Sequence, residues 1–526
     1  MSFTSITFWI ALVVLTAVYY LVPKKFQRWV LLAGSLLFYL YTGWKPMLLI
    51  VGVATFVFSM ALYFGRVNAH YETLIAENRD QKRQLNAECT QKKKKWLALS
   101  LVICFGILFV LKYYHVFESA ANALSAWIPA SRSLVGKSII LPLGLSYYTF
   151  QAVGYLIDVY RGKYGPETNY FQLLLFVSFF PQLIQGPISR YDQLGAQFLT
   201  EKHFDFERTK DALLLILWGF FQKLIIGDRL TIVRDTIAGN CETYPGFFLI
   251  FAALISWLKL YTDFSAGIDI ANGVASILGI ELPMNFNQPF FATSLSEFWS
   301  RWHMTLNNWW RDYVFYPLTL SPAFNSIGKK AKKMMGNNIG KKVPIFLSLI
   351  VVRFINATWH GLGANQIVSG IYHGLLVGFS FMLEPVFAKT NKALKVRTES
   401  IGWRIFQSVR TYLLISIPSL VSLARTWQDF KLNVTSLFCW NPWVLFDGSL
   451  NQLGISYKEW YLVLFGVLVL FAVDVCKEKG ISITGVIRRQ NTAFRWLLYY
   501  ALIFLLLIFG AYGQGYDASS FMYAGF

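Results

Sequence analysis

The chain has 526 residues, 55% of them hydrophobic and only 14% charged, with a mean hydropathy of +0.45. Soluble globular chains carry roughly 25% charged residues, so a set of soluble domains is excluded in favour of an all-α polytopic membrane protein. The formal net charge of +20 falls mainly in short loops between apolar runs, where positive-inside bias rather than nucleic-acid binding accounts for it.

The first run, "SITFWIALVVLTAVYYLVPKKFQR", is long enough to span. Lys24, Lys25 and Arg28 follow it and no small-residue cleavage site appears, so it reads as a retained first helix with its N-terminus outside. Apolar runs at 30–43 and 46–64 come next, separated by a turn at "TGW" and Pro46. The polar segment 66–95 is rich in helix-forming residues, ends in four lysines and is placed as a cytoplasmic loop. The run 96–114 crosses back, leaving 118–134 as an external loop.

Downstream the pattern is broken. "IILPLGLSYYTFQAVGYLIDVYRG" (139–162) is interrupted by Pro142 and Gly144, and "FQLLLFVSFFPQLIQGPISRY" (171–191) by Pro181, Gly186 and Pro187. Such pieces predict short or re-entrant helices, tolerated at membrane depth only when buried in protein or lining a cavity. At least one of 141–150 and 174–188 is expected not to cross the bilayer. Further runs lie near 211–227, 245–262, 343–359, 365–384, 405–424, 459–475 and 495–512. The total is roughly eleven spans of about 20 residues, plus short re-entrant and interfacial helices. The chain reads as one membrane domain, 1–526, with N-terminal spans over 1–134, a catalytic core over 135–385 and C-terminal spans over 386–526.

Several chemistries lack a signature. The five cysteines form no C-x-x-C pair and imply no disulfide framework. There is no Walker A loop, no G-x-G-x-x-G, no H-E-x-x-H and no G-x-S-x-G. No metal site is expected. Asp263 and Asp269, in "YTDFSAGIDIANG", read as helix-capping residues or partners of Arg301 or Arg311, with a transport site as the alternative.

Six histidines remain. His70, His115 and His203 fall in loops or near span ends with nothing around them. His303 lies in "SLSEFWSRWHMTLNNWWRDYVFYPL" (294–318), a mixture of tryptophans and charges that suits amphipathic helices at the membrane interface. It reads either as a satisfied interfacial residue or as a functional one. His360, in "RFINATWHGLGANQ", follows a span, and Gly361 and Gly363 permit a tight turn or close approach to a ligand. A neutral imidazole is a natural general base near pH 7; the alternative is a buried histidine bonded to a backbone carbonyl. His373, in "GIYHGLLVG", reads as a packing residue on the next span.

Five ordered stretches, "LPLGLSYYTFQAVGYLIDVYRG", "VSFFPQLIQGPISRYDQL", "YTDFSAGIDIANGVASILGIELPMNFNQPF", "SEFWSRWHMTLNNWWRDYVFYPL" and "NATWHG", cover about 141–375. Together they resemble the membrane-bound O-acyltransferase (MBOAT) family, in the bacterial branch that holds the membrane subunit of alginate O-acetylation and the D-alanyl transfer protein of teichoic acids. The resemblance implies that His360 is the membrane-embedded catalytic residue. It implies that His303 is a second functional histidine, across a central tunnel ringed by transmembrane helices. Asn356 and Thr358 are candidates to orient the imidazole or bind the carbonyl oxygen, and Trp359, Trp302 and Arg301 are candidate substrate-binding residues.

The function implied by this resemblance is an acyl transfer, most simply of acetyl, from a cytoplasmic thioester to hydroxyls of an extracytoplasmic polysaccharide or wall polymer, directly or through a partner protein. No cofactor is expected to be bound; acyl-coenzyme A or an acyl carrier protein with a phosphopantetheine arm is the donor substrate. "DYVFYPL" favours the alginate-type branch, whereas "PMNFNQPF" and "WHMTL" equally match the D-alanyl branch. The expected setting is a bacterial cytoplasmic membrane, with the lipid bilayer, the donor and an extracytoplasmic partner as companions and no nucleic acid. A transporter or flippase built on the same broken helices is the alternative of another class.

Overall fold

A computed structural model describes residues 3–124, 141–512 and 521. Among these residues the regular structure is helical throughout. Seven helices are long and apolar enough to cross a membrane: Trp44–Glu77, Arg79–Lys112, Phe247–Ile277, Val343–His360, Ala364–Ala393, Tyr457–Glu478 and Thr492–Phe509. Three other runs counted as spans form helices of 16 residues, Ile6–Leu21, Gln27–Thr42 and Ile401–Ser416, whereas Phe206–Phe221 continues through a π-helical turn, Gln222–Gly227, into Asp228–Ile237. At 1.5 Å per residue each of the three covers about 24 Å, less than a hydrocarbon core of roughly 30 Å.

The described residues fall into two compact units: those of Met1–Leu213 and Ala271–Pro283 with Phe521, and those of Leu214–Ile270 and Met284–Ser519. In the first unit, Trp44–Glu77 packs against Lys82–Lys112, Leu145–Tyr160 and Tyr170–Ser178. The polar segment 66–95 is not a loop. Both long helices continue through it and turn over at Asn78–Gln81, because its Ala, Glu, Gln, Leu and Lys residues are strong helix formers. The turn before Pro46 is the single residue Gly43, at φ 133°. The expected external loop 118–134 begins as helix, in Tyr114–Leu124, and 125–134 lie outside the described residues.

The Pro/Gly-broken stretches are short helices. Leu145–Tyr160 starts after Gly144, whose φ is +68° and where a Cβ would lie 2.6 Å from the Leu183 carbonyl oxygen; only glycine fits both demands. Every residue from Leu145 to Val159 is buried. Tyr170–Ser178 stops at Phe179, whose ψ of 106° ends the helix, and a six-residue piece, Phe180–Gln185, carries Pro181 in its first turn, where no amide donor is needed. Neither 141–150 nor 174–188 is an unbroken full-length span. Three glutamines of these stretches find partners inside the protein: Gln151 bonds Gln182, Gln182 bonds Ser189, and Gln172 donates to the Gly195 carbonyl at 2.7 Å. That is the condition under which irregular backbone survives at membrane depth.

One residue of the four-lysine run is structural. Lys93 is buried, donates to the Tyr160 carbonyl at 2.7 Å and to Asn68, and lies over the Tyr160 ring. With Asn68 donating to the Val159 carbonyl, it caps the C-terminal end of Leu145–Tyr160, where a cation is favoured.

In the second unit, Val343–His360 and Ala364–Ala393 form an antiparallel pair. Gly370, Gly374 and Gly378 line the second helix where it meets the first: a Cβ on Gly370 would come 2.3 Å from the Ala357 side chain. Absent side chains let the two backbones approach closely, as small residues do at interfaces within membranes. Asp263 does not pair with Arg301 or Arg311. It accepts from Lys223 at 3.0 Å, and Lys223 also binds Asp228 at 2.9 Å, while Asp269 accepts from Gln222. These carboxylates sit in the interior of helical stretches, so neither caps a helix start.

Candidate active site

His303 is held by two short helices and an extended strap. Leu295–Arg301 ends at Trp302, and His303 begins Met304–Trp310 in the left-handed region, at φ 45° and ψ 51°. A non-glycine residue there is strained by about 1–3 kcal/mol and persists only when its surroundings over-determine it. The strap "PMNFNQPF" supplies that. The Asn287 amide donates to the Arg301 carbonyl and the Met304 amide to the Asn285 carbonyl, so the strap runs alongside the bend. The Asn285 side-chain oxygen accepts from the Thr305 amide at 3.2 Å and the Thr305 hydroxyl at 2.8 Å, and lies 3.2 Å from His303 Nδ1.

This geometry sets a tautomer. The atom facing the Thr305 amide must be the asparagine oxygen, which only accepts. The neutral His303 ring therefore carries its hydrogen on Nδ1 and its lone pair on Nε2. The ring is buried and meets Phe264 edge-on at 4.8 Å. Burial, and secondly the nearby His360, hold the His303 imidazole well below its ordinary value.

His360 is the last residue of Val343–His360, and its ring lies 4.4 Å from that of Trp359, which is buried. Gly361 follows with extended backbone and ends the helix. One turn back, Asn356 accepts from the Trp310 indole at 2.9 Å. Trp310 belongs to the helix that begins at His303, so this bond ties the two histidine-bearing segments together. The Thr358 hydroxyl donates to the Ile355 carbonyl at 2.9 Å.

The aromatic stretch is not an exposed interfacial helix. Trp302, Trp309 and Trp310 are buried, and Trp302 lies 5.0 Å from both Trp257 and Phe286 and 5.6 Å from Phe298. The indoles pack on one another, which satisfies their apolar faces better than lipid headgroups would. Arg301 is engaged by two carboxylates: Glu297, four residues back, at 2.7 Å and Glu478 at 2.6 Å. This fork pins the start of the bend to Tyr457–Glu478. His373 packs edge-on against Trp299 at 5.1 Å.

Residue-type reasoning did not single out Asn285, Arg353, Trp299 or Asn307. Arg353 lies two turns before His360, its guanidinium 4.0 Å from the centroid of the Trp299 ring and 3.2 Å from Asn307 Oδ1. Among the described residues no group of three or more His, Cys, Asp or Glu side chains is arranged to hold a metal ion.

Broken internal helices and long apolar spans define a multi-pass membrane protein, with one histidine buried at a bend and another at a helix end. Residues 165–424 match the membrane-bound O-acyltransferase family, and the chain belongs to that family; it is a membrane acyltransferase. It is 28% identical to a probable alginate O-acetylase AlgI of Pseudomonas syringae pv. tomato, over 80% of this chain and 74% of that protein. It is 29% identical to a peptidoglycan O-acetyltransferase of Helicobacter pylori over 66% of this chain and 63% of the relative. It is 32% identical to a teichoic acid D-alanyltransferase of Bacillus subtilis over 49% of this chain and 62% of the relative.

Proposed function

We propose that this protein moves an acyl group, acetyl in the first place, from a cytoplasmic thioester to hydroxyls of an extracytoplasmic polysaccharide or wall polymer, directly or by way of an extracytoplasmic partner protein. The observation that carries this reading is the likeness to alginate O-acetylases over four-fifths of the chain. The paired imidazoles supply the chemistry. His360 takes the proton of the acceptor hydroxyl as its oxygen attacks the thioester carbonyl. The carbon–sulfur bond breaks, an ester forms, and the proton passes to the departing thiolate. His303 presents Nε2 towards the same chemistry, and Asn356 and Trp359 hold the His360 end of the helix. Thr358 and Trp302 support that geometry through helix and aromatic packing, and Arg301 does so through its carboxylates.

In this reading the site opens to both faces of a bacterial cytoplasmic membrane through a tunnel, so donor and polymer meet without the polymer crossing. The donor is acetyl-coenzyme A, a substrate rather than a resident cofactor. The basic segments 91–96 and 328–342 mark the cytoplasmic side and attract an anionic donor over a Debye length of about 8 Å at physiological salt, so donor affinity falls as salt rises.

D-alanyl transfer from an acyl carrier protein is the second reading, favoured by the 32% identity to the Bacillus subtilis relative. Purified full-length chain in liposomes, given acetyl-coenzyme A or a D-alanyl carrier protein on the side of the basic loops and polymer on the other, separates the two. Base-labile acetyl esters on the polymer support the first. Ester formation from the D-alanyl donor alone replaces it with the second. Polymer or lipid movement without any ester, unaffected by His360→Ala, replaces both with a transporter.

A further inference from the structure

Arg353 is the one arginine on Val343–His360, midway along a helix of span length. A guanidinium at that depth is costly and marks a substrate path or a partnered charge. Among the described residues it forms no ion pair with a carboxylate: its guanidinium lies over the Trp299 face, donates to the Asn307 amide oxygen and stands near His373. Ring stacking and one neutral acceptor orient a guanidinium but leave its charge unbalanced, with most of its five N–H donors uncommitted. The neighbouring helix presses it there. A Cβ on Gly374 would come 3.3 Å from Arg353 Cβ, and one on Gly370 would come 3.0 Å from the Arg353 carbonyl oxygen. The glycines therefore close off that flank, and the side chain is laid against Trp299.

Its place in the chain orders it along the helix. Seven residues separate Arg353 from His360, two turns, which puts both on one face with a rise of about 10 Å between them. Val343–His360 follows the basic helix Pro322–Gly340 and Lys341–Lys342, the end that charge bias assigns to the cytoplasm. Arg353 then lies between the cytoplasmic entrance and His360. A ligand that arrives from that side with its reactive end at His360 passes the guanidinium on the way.

We propose that Arg353, braced by Trp299 and Asn307, is a phosphate-binding residue on the donor path, and that the group it takes is the phosphate of a phosphopantetheine-type acyl thioester. Arginine suits the task because its planar fork binds phosphate oxygens through two parallel hydrogen bonds. Coenzyme A and the prosthetic arm of a carrier protein share this phosphate, so the inference rests on the proposed thioester chemistry but not on the choice between its two donors. The phosphate of a membrane phospholipid offers the same chemistry from another source.

The test is binding, which does not require turnover. The full-length chain in detergent is titrated with 4′-phosphopantetheine and with pantetheine, which lacks the phosphate, in the wild type and in Arg353→Met, Arg353→Lys and Asn307→Asp. The wild type is expected to prefer the phosphorylated compound by about tenfold or more, as a charge-assisted hydrogen bond allows. Arg353→Met abolishes the preference and Arg353→Lys retains part of it. Asn307→Asp, which keeps the arginine and its stacking but supplies a carboxylate partner, weakens the preference even where Arg353→Met fails to fold. An equal preference in wild type, Arg353→Met and Asn307→Asp overturns the proposal, as does absence of any preference in the wild type. So does Arg353-dependent retention of anionic phospholipid that phosphopantetheine does not displace, which assigns the residue to a lipid headgroup. If phosphopantetheine binds through Arg353 but no thioester supports transfer, the proposed function fails and this site stands.

Discussion

His360 ends a regular eighteen-residue helix, whereas His303 occupies a left-handed bend between two helices of seven residues each. The first is placed by a span: its position follows from the length of Val343–His360 and from the glycine-lined packing of that helix against Ala364–Ala393. The second is placed by side chains and backbone brought from elsewhere, chiefly Asn285 and the strap around it. His360 stands where the backbone leaves the helix at Gly361, with its ring against Trp359. A histidine locked at Nδ1 and buried keeps one tautomer and one direction for Nε2. The contrast points to a division of labour in which His360 moves the proton and His303 defines where the reacting groups sit.

The largest expected effect is at His360. Replacing it with alanine removes the proposed general base, worth typically about 10²–10⁴ in rate, while the helix, already ending there, keeps its packing. Acyl transfer by the purified, folded variant measures this, and wild-type turnover would return half-buried His360 to a merely structural role. His303→Ala comes next. If His303 chiefly orients, transfer falls but remains measurable, with the defect in KM for the donor as well as in kcat. Loss as complete as for His360→Ala would erase the proposed division, making both residues proton carriers.

How far this contrast could be read in the sequence differs between its halves. The His360 side was legible: an apolar run, a histidine and two glycines predict a span that ends in a turn, and Val343–His360 does so. Breaks at Gly144 and Pro181 were legible too, because φ preference and a missing amide are local properties. The His303 side was not. Its tryptophans pointed to a membrane interface, since an amphipathic aromatic segment has the same composition whether it meets lipid headgroups or other indoles. Its key partners are remote: Asn285 is 18 residues upstream and Glu478, which clamps Arg301, is 177 residues downstream. Asp263 is a paired group, as its apolar setting implied, but its cation is Lys223, 40 residues upstream, rather than either nearby arginine. Lys93 shows the same limit in a charge run, where one lysine of four turns inward to cap a helix that begins about fifty residues later.

A smaller effect sharpens the tautomer argument. Asn285→Ala removes the acceptor shared by Thr305 and His303 Nδ1, and leaves a buried ring free to carry its hydrogen on either nitrogen. By analogy with groups that orient catalytic imidazoles, transfer should fall about 10–100-fold, with expression retained. Asn285→Asp keeps the acceptor but adds a negative charge beside the ring, which favours the imidazolium and raises its pKa. Its acid limb should therefore move to higher pH than that of the wild type. A merely structural asparagine would lower activity in both variants without moving the pH profile.

The smallest effect is on stability. The His303 pKa is depressed in the folded protein by burial, and then by His360, while the unfolded chain titrates near 6.5. Above that value both states hold the ring neutral and His303 contributes no pH dependence. As pH falls below it, the unfolded state takes up a proton that the native state refuses, so the native state loses stability down to the folded pKa. One group can contribute at most about 1.4 kcal/mol per pH unit. Thermal midpoints in detergent at pH 7.5 and 5.5, compared between the wild type and His303→Gln, isolate this contribution from those of the other histidines. The wild type should lose more on acidification than the variant. Equal losses would mean that His303 takes up its proton in the folded state as readily as in the unfolded one. That would remove the basis for giving the two histidines different work.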